Sequence, residues 1–378
     1  NNVAVGYQAG DAITTGNLNT FFGAAAGSAS ATVDSNTAIG AFAFDAGTGA
    51  DNTAVGSGAL GGGSNSGASN VAVGKDAGNA VTTGASNTLI GSQAGDALLA
   101  AADNVAVGAS ALSAETGGQN NVAIGKNALL VQVNSSGNIY NTVVGSQAGK
   151  AVTTGVNNTL IGGLAGDAIT TGENNVAVGK SALTGATINN RCTAVGAFAL
   201  QNMNNASTGT IDNTAVGANA GGTGVMTGIL NTLVGHAAGN QITSGNKNSI
   251  VGGDAGDALT TGEKNAVLGQ GALGAGTTYD GNVAIGFEAL KVADLTTGAD
   301  GNNTAVGSSA GAAVTTGIKN VIIGVSSAET LTTGSDNICI GRQADVSASG
   351  AFNQITLGLD INAGGDNNFS FGKASNVV

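Results

Sequence analysis

A five-residue pattern, N-x-A-V-G in its commonest form, returns through the whole chain at a step that is mostly 17 residues. It reads at Asn2 to Gly6, Asn36 to Gly40, Asn52 to Gly56, Asn70 to Gly74, Asn104 to Gly108, Asn121 to Gly125 and Asn175 to Gly179. Looser copies stand between them, at Asn19 to Gly23, Asn87 to Gly91, Asn141 to Gly145 and Asn158 to Gly162, and copies of both kinds continue to Gly372. A fixed step of this size is the signature of stacked repeats, in which no single unit can bury its own face. About 22 units fill the chain, so the domain expectation is one repeat solenoid over residues 1–378, with irregular last coils from about 342. Longer steps follow Asn121, Cys192 and Asn282. The inserts there, such as Val131 to Tyr140, are expected to bulge as surface loops.

Each place in the unit carries its own requirement. The fourth residue is large and apolar (Val5, Phe22, Ile39, Val55), which reads as a core-facing strand position. The second residue, often Thr or Val, shares that face, and the small third residue (Ala4, Ala38, Ala54, Ala72, Ala106) is expected to point away from the core. The fifth is glycine at Gly6, Gly23, Gly40, Gly56, Gly74, Gly91, Gly108 and Gly125, a corner where the backbone turns sharply or takes positive φ. Alanine follows three residues later, as at Ala9, Ala26 and Ala43, which implies a narrow interior. A second corner, T-T-G, comes next, as at Thr14 to Gly16, Thr82 to Gly84 and Thr153 to Gly155. The fold class expected is all-β, a parallel β-solenoid whose coils form a narrow β-roll with two short sides.

The opening asparagine suits such a stack. Coils repeat at about 4.8 Å, so Asn2, Asn19, Asn36, Asn52, Asn70, Asn87, Asn104, Asn121, Asn141, Asn158 and Asn175 would lie one above another. Each amide would donate to one neighbour and accept from the other, making a structural Asn ladder. Cys192 interrupts it, and near Gly358 the ladder is expected to lose register because Asn353 comes one place early. At that rise about 22 coils would form a rod on the order of 100 Å long.

The chain closely resembles the N-T-A-I-G-type repeats of bacteriophage tail fibres and related bacterial surface proteins. The residues that carry the likeness are N-x-A-V-G, the alanine three residues on, and T-T-G, from Asn2 to about Gly372. More distantly it is similar to the heads of trimeric autotransporter adhesins, whose shorter repeats also carry a V-A-I-G core. The resemblance implies a left-handed β-roll, three chains side by side, and an extracellular, cell-surface or virion location. Loops on a rigid scaffold are where binding usually sits, so a host glycan or receptor, if bound, is expected at inserted loops such as Gln132 to Tyr140 and Gln201 to Asp212. The small third residue fits the close approach of a neighbouring copy.

Composition narrows the function classes. Only 9% of residues are charged, against about 25% in ordinary proteins, which suits a fibre surface of Asn, Ser and Thr or one covered by other copies. The net charge is −12, and the 11 Lys and Arg are scattered, so no basic patch exists to engage nucleic acid. No apolar run approaches the ~20 residues of a membrane helix, so membrane insertion is not expected. The first residues already lie in the repeat and show no signal peptide. Asn1 starts inside a unit without a polar cap, which fits either a boundary within a longer chain or end-to-end stacking of copies.

No catalytic, cofactor-binding or metal site is expected, and the protein reads as a non-enzyme. The only histidine, His236, lacks triad partners and reads as a solvated surface residue. Gly179-Lys180-Ser181 echoes a phosphate loop, but its first glycine would fall at Asn174. Asp11, Asp96, Asp167 and Asp257 share one place in the unit and sit four or more coils apart, as solvated corner residues. Cys192 and Cys339 are eight coils apart, too far to bridge. A polysaccharide-cleaving β-helix enzyme would need an acidic or basic cluster that the sequence does not offer. The functional expectation is a structural fibre or adhesive shaft. The alternative is an ice-binding solenoid using Thr-rich faces, which the broken run after Thr171 disfavours.

Overall fold

Strands form where the motif sets β-branched residues in a row, and each stops at the glycine that follows. The computed structural model describes residues 1–204, 211–294 and 300–373, and among them every regular element is a β-strand. The segments 205–210 and 295–299 of the longer coils lie outside the described residues. Strands span the second to fourth residues of the motif, from β1 (Val3–Val5) to β11 (Val176–Val178) and from β12 (Thr193–Val195) to β20 (Ile338–Ile340). The last two, β21 (Ile355–Leu359) and β22 (Phe369–Lys373), are longer. The chain divides into two compact units, Asn1–Asn190 with β1 to β11 and Arg191–Val378 with β12 to β22.

In the first unit each strand pairs in parallel with the next, motif position against motif position, from Val3 on Thr20 to Thr159 on Val176. The second unit repeats this from Thr193 on Thr214 to Ile355 on Phe369. The fold is therefore a parallel β-solenoid with one coil per motif. Only one wall of each coil is strand. The other runs as turns bonded to the next coil, with Gly10 N–H on the Ala26 carbonyl at 2.9 Å and Thr14 N–H on that of Ala31 at 2.8 Å. Left-handed residues such as Gln8 (φ 56) recur along it, so this wall has no period of two.

The two glycine corners differ in cause. Gly162 has φ +136, and a Cβ there would stand 2.4 Å from the Gly179 carbonyl oxygen of the next coil. Gly16, in T-T-G, is not left-handed, but its Cβ would stand 2.2 Å from the Val33 oxygen. Close approach of stacked backbones dictates both.

The strand faces are the reverse of the sequence reading. The third motif residue is the buried one: Ala38, Ala54, Ala72 and Ala106 are fully buried, as are Phe21, Leu89 and Leu160 at the same place. The second and fourth residues look outward, and Ile39, Ile90 and Ile124 stay exposed. The reason is the first residue. Asn36 through Asn175 turn into the coil, and along a strand the first and third side chains share a face. Bulk alone pointed the wrong way, because the interior is too narrow to take a large side chain at every place. The small alanines make room inside the coil, not for a neighbouring copy.

Three places share that interior: the third motif residue and those four and seven beyond the corner glycine. Where Leu112, Leu129, Leu183, Leu200 or Leu290 fills the middle place, the third residue is Ala106, Ala123, Ala177, Ala194 or Ala284. Where the middle place is Gly166, Leu160 and Ile169 close over it, and a Cβ would lie 2.8 Å from each. Small and large side chains thus trade volume within one coil. Leu160→Ala should cost about 2–5 kcal/mol of stability. Gly166→Ala should also destabilise, through overpacking and a strained φ. Denaturant unfolding of the double variant should show a loss smaller than the two single losses added, by about 1 kcal/mol. Simple additivity would contradict the shared volume.

Candidate functional site

The inward asparagines build the seam that fixes the outer face. Asn158 Oδ1 accepts from the Asn175 backbone N–H at 3.0 Å and from its Nδ2 at 3.1 Å. Its own Nδ2 donates to Asn141 Oδ1 at 3.2 Å and to the carbonyl of Gly172, the T-T-G corner of its coil, at 2.9 Å. The same set recurs at Asn87 and in the second unit at Asn231, Asn248 and Asn265. At Asn2, Asn19, Asn36, Asn52, Asn70, Asn104, Asn121 and Asn141 the Oδ1 likewise accepts the next asparagine's backbone N–H. The amide thus crosses the coil and ties strand to corner, besides bonding along the stack. Gly6, Gly23, Gly40, Gly56, Gly74, Gly91, Gly108 and Gly125 end these strands with φ between 132 and 141.

Two interruptions are repaired differently. At Cys192 the thiol takes the Asn213 backbone N–H in place of an amide oxygen, and Met203 Sδ lies 3.9 Å from its sulfur. Near the C-terminal end register is not lost. Gln354 holds the ladder place, its N–H on Asn337 Oδ1 at 3.0 Å, while Asn353 occupies the left-handed position before it.

With the asparagines inside, the second and fourth motif residues form two outward columns. In the first unit these are Val3, Thr20, Thr37, Thr53, Val71 and Thr88 beside Val5, Phe22, Ile39, Val55, Val73 and Ile90, and they continue to Val176 and Val178. In the second unit they run from Thr193 and Val195 to Phe369 and Phe371, whose rings stack at 6.5 Å. No charged residue stands in either column. Phe22 is 56% exposed and Leu268 50%.

The corner threonines divide their work. The first hydroxyl of T-T-G bonds the next coil, as Thr153 Oγ1 on the Thr170 carbonyl at 3.1 Å and Thr260 Oγ1 on that of Thr277 at 2.8 Å. The second, as at Thr15, Thr83, Thr154 and Thr171, is exposed.

Residues singled out for chemistry stay apart. His236 is exposed, with Nδ1 3.4 Å from Asp254. Asp11 is exposed, and Asp167 pairs with Lys150 at 3.5 Å. Burial raises the Asp96 and Asp257 carboxyls, with smaller contributions from Asp76 and Asp254 respectively. Gly179 is an ordinary corner with φ 139, and Ser181 beside it is buried. Among the described residues no group of three or more His, Cys, Asp or Glu is placed to hold a metal ion. No helix among them is long and apolar enough to cross a membrane.

One cluster escaped the sequence reading. Glu115 is fully buried, and its carboxylate accepts backbone N–H groups of Thr116, Gly117, Gly118 and Asn134 and the Gln132 amide at 2.8 Å. Gln132 in turn accepts from Asn141 Nδ2 at 2.8 Å. The insert therefore bulges only over 133–138, since Gln132 and Ile139 are buried. The 20-residue step from Asn121 to Asn141 was the available signal.

The chain matches no protein-family model and no curated protein.

Asn158→Ala should cost at least about 2 kcal/mol in chemical denaturation, because it removes the partners of the buried Asn175 N–H and the Gly172 carbonyl. The exposed Asn2→Ala should lose less. Burial pushes both thiols from the ordinary 9.0 to about 12. The folded state thus favours the neutral thiols, and the stability they contribute is whole below pH 9 and declines as pH rises from there. An aromatic disulfide reagent at pH 8 should leave both thiols of the native chain unreacted and titrate both after denaturation.

Proposed function

We propose that this protein is a non-catalytic structural fibre or adhesive shaft, working outside the cell or on a virion, whose copies associate side by side through the outer strand face. The observation that carries this reading is the pair of uncharged, largely apolar columns along that face. Water-exposed Val, Ile, Leu and Phe in unbroken rows are costly to a lone chain and mark an interaction surface. A second copy is the occupant that fits. It offers the same spacing, coil for coil, and an uncharged strip lets chains of net charge −12 approach without opposing charges at the contact. Eleven coils of the first unit, at about 4.8 Å rise, give a strip on the order of 500 Å² per copy, or about 1,000 Å² for a pair. That reaches the lower range of specific interfaces. The repeat resemblance to tail-fibre and adhesin shafts supports the same reading.

Ice binding is the second reading. What favours it is the outward Thr20, Thr37 and Thr53 in consecutive coils; what weakens it is their replacement by Val71, Val105, Val122 and Val176. The T-T-G corners serve it less, since their first hydroxyls are engaged.

Sedimentation of the purified chain should give a multiple of 35.7 kDa. Ile90→Lys with Ile124→Lys, both on the outer columns, should shift it to the single-chain mass with the circular dichroism unchanged. A wild-type monomer would sink the assembly, and measurable thermal hysteresis in that monomer would establish the second reading instead.

A further inference from the structure

Charge is sorted by edge along the outer strand face. The residue after each corner glycine stands on one edge, and the residue before each ladder place stands on the other. The corner row carries Lys75, Lys126, Lys180, His236, Arg342 and Lys373. It holds none of the chain's 23 Asp and Glu, although acids outnumber the 11 Lys and Arg about two to one. A row of one sign in an acidic chain needs a reason, and the coil itself supplies none.

In the first unit the ladder edge has the opposite sign. Asp51 and Asp103 stand directly before ladder asparagines, Asp34 and Glu173 stand one place further back, and neither row of that unit holds a Lys or Arg. These four acids are exposed, as are Lys75, Lys126 and Lys180. Their levels along the stack also agree. Asp51 lies one coil before Lys75, Asp103 one coil before Lys126, and Glu173 opens the coil that carries Lys180. Within one copy the width of the strand face keeps these charges apart, so their matching adds nothing to a single chain. Lys75 does meet Asp76 of its own edge at 3.4 Å, a surface ion pair of small worth. In the second unit the ladder edge mixes Arg191, Lys247, Lys264 and Lys319 with Asp212 and Asp336, so the sorting is complete in the first alone.

We propose that the two edges of the first unit recognise each other between copies and set side-by-side chains parallel, Lys75 toward Asp51, Lys126 toward Asp103 and Lys180 toward Glu173. Strands cross the face from the ladder edge to the corner edge. When a second copy faces the first with its coils counted in the same direction, facing strands run in opposite senses, and each lysine edge meets an acidic edge. With the second copy reversed, corner edge meets corner edge, and that row is cationic in both units. The same holds for two or three chains about an axis along the stack. An offset of one coil is about 4.8 Å, which a lysine side chain spans. Charges at the rim of an interface fix orientation and register, while the uncharged columns between them supply the contact. The inference names the orientation of the partner copy and rests on the proposed association of copies through this face.

Sedimentation equilibrium of the full chain at low ionic strength is the test. Lys75→Glu with Lys126→Glu should weaken association at least about tenfold, and Asp51→Lys with Asp103→Lys should weaken it as much. Lysine already occupies that left-handed place at Lys247, Lys264 and Lys319, each with φ 59, so the second pair keeps its backbone. The chain carrying all four exchanges should recover the association of the wild type. General repulsion predicts otherwise: the first pair makes the chain more acidic than its net −12 and the second less so, and their effects would have opposite signs. Opposite effects, no effect, or a fourfold variant that folds by circular dichroism yet stays weak overturns the pairing of edges. A wild-type chain that remains single overturns the association of copies and the edges with it; one that assembles and ignores the exchanges overturns the edges alone.

Discussion

The close contact between successive coils governs almost everything else in this molecule. Corner backbones stack so tightly that a single Cβ at Gly162 would enter the next coil's carbonyl. At that separation the three inward places of a coil are not all filled by large side chains; where Leu160 and Ile169 are large, the place between them is Gly166. Buried polar groups of the seam then find their partners one coil away or across their own coil. The asparagine seam satisfies that demand. Each amide takes the N–H that the strand leaves over and returns a donor to the opposite corner, so strand and turn wall are held as one coil.

From that seam follows the character of the surface. Turning asparagine inward turns the third residue inward with it, and the β-branched second and fourth residues must then face out. The exposed apolar columns are therefore a necessary consequence of a polar seam within a narrow core. A chain that builds its stability this way acquires a sticky, uncharged strip wherever its strands run. In the proposed shaft, association of copies through that strip would turn this liability into assembly.

Departures from the repeat show how firmly the seam is kept. Where the sequence supplies cysteine, its sulfur takes the waiting N–H; where it supplies glutamine, the Gln354 backbone N–H still donates to the Asn337 amide oxygen while its side-chain amide turns to Ser347 and Asp366. Where extra residues enter after Asn121, a buried glutamate and glutamine rebuild the lost corner. That rebuilt corner in turn holds the inserted loop through Asn134.

The sequence by itself determined the coil, its repeat length, the parallel stacking and the identity of the seam. Those follow from periodicity, from glycine at fixed places and from one amide per unit, all local or one step removed. It could not determine which strand face is the core. Hydrophobicity favoured Val5, Phe22 and Ile39, while a period of two allows either phase, and only the width of the closed coil chose alanine and asparagine. Nor could it show that Gly166 and Leu112 answer the same packing demand, or that Glu115 meets Gln132. Those partners lie in neighbouring coils or across the interior, and such distances exist only once the chain has closed on itself.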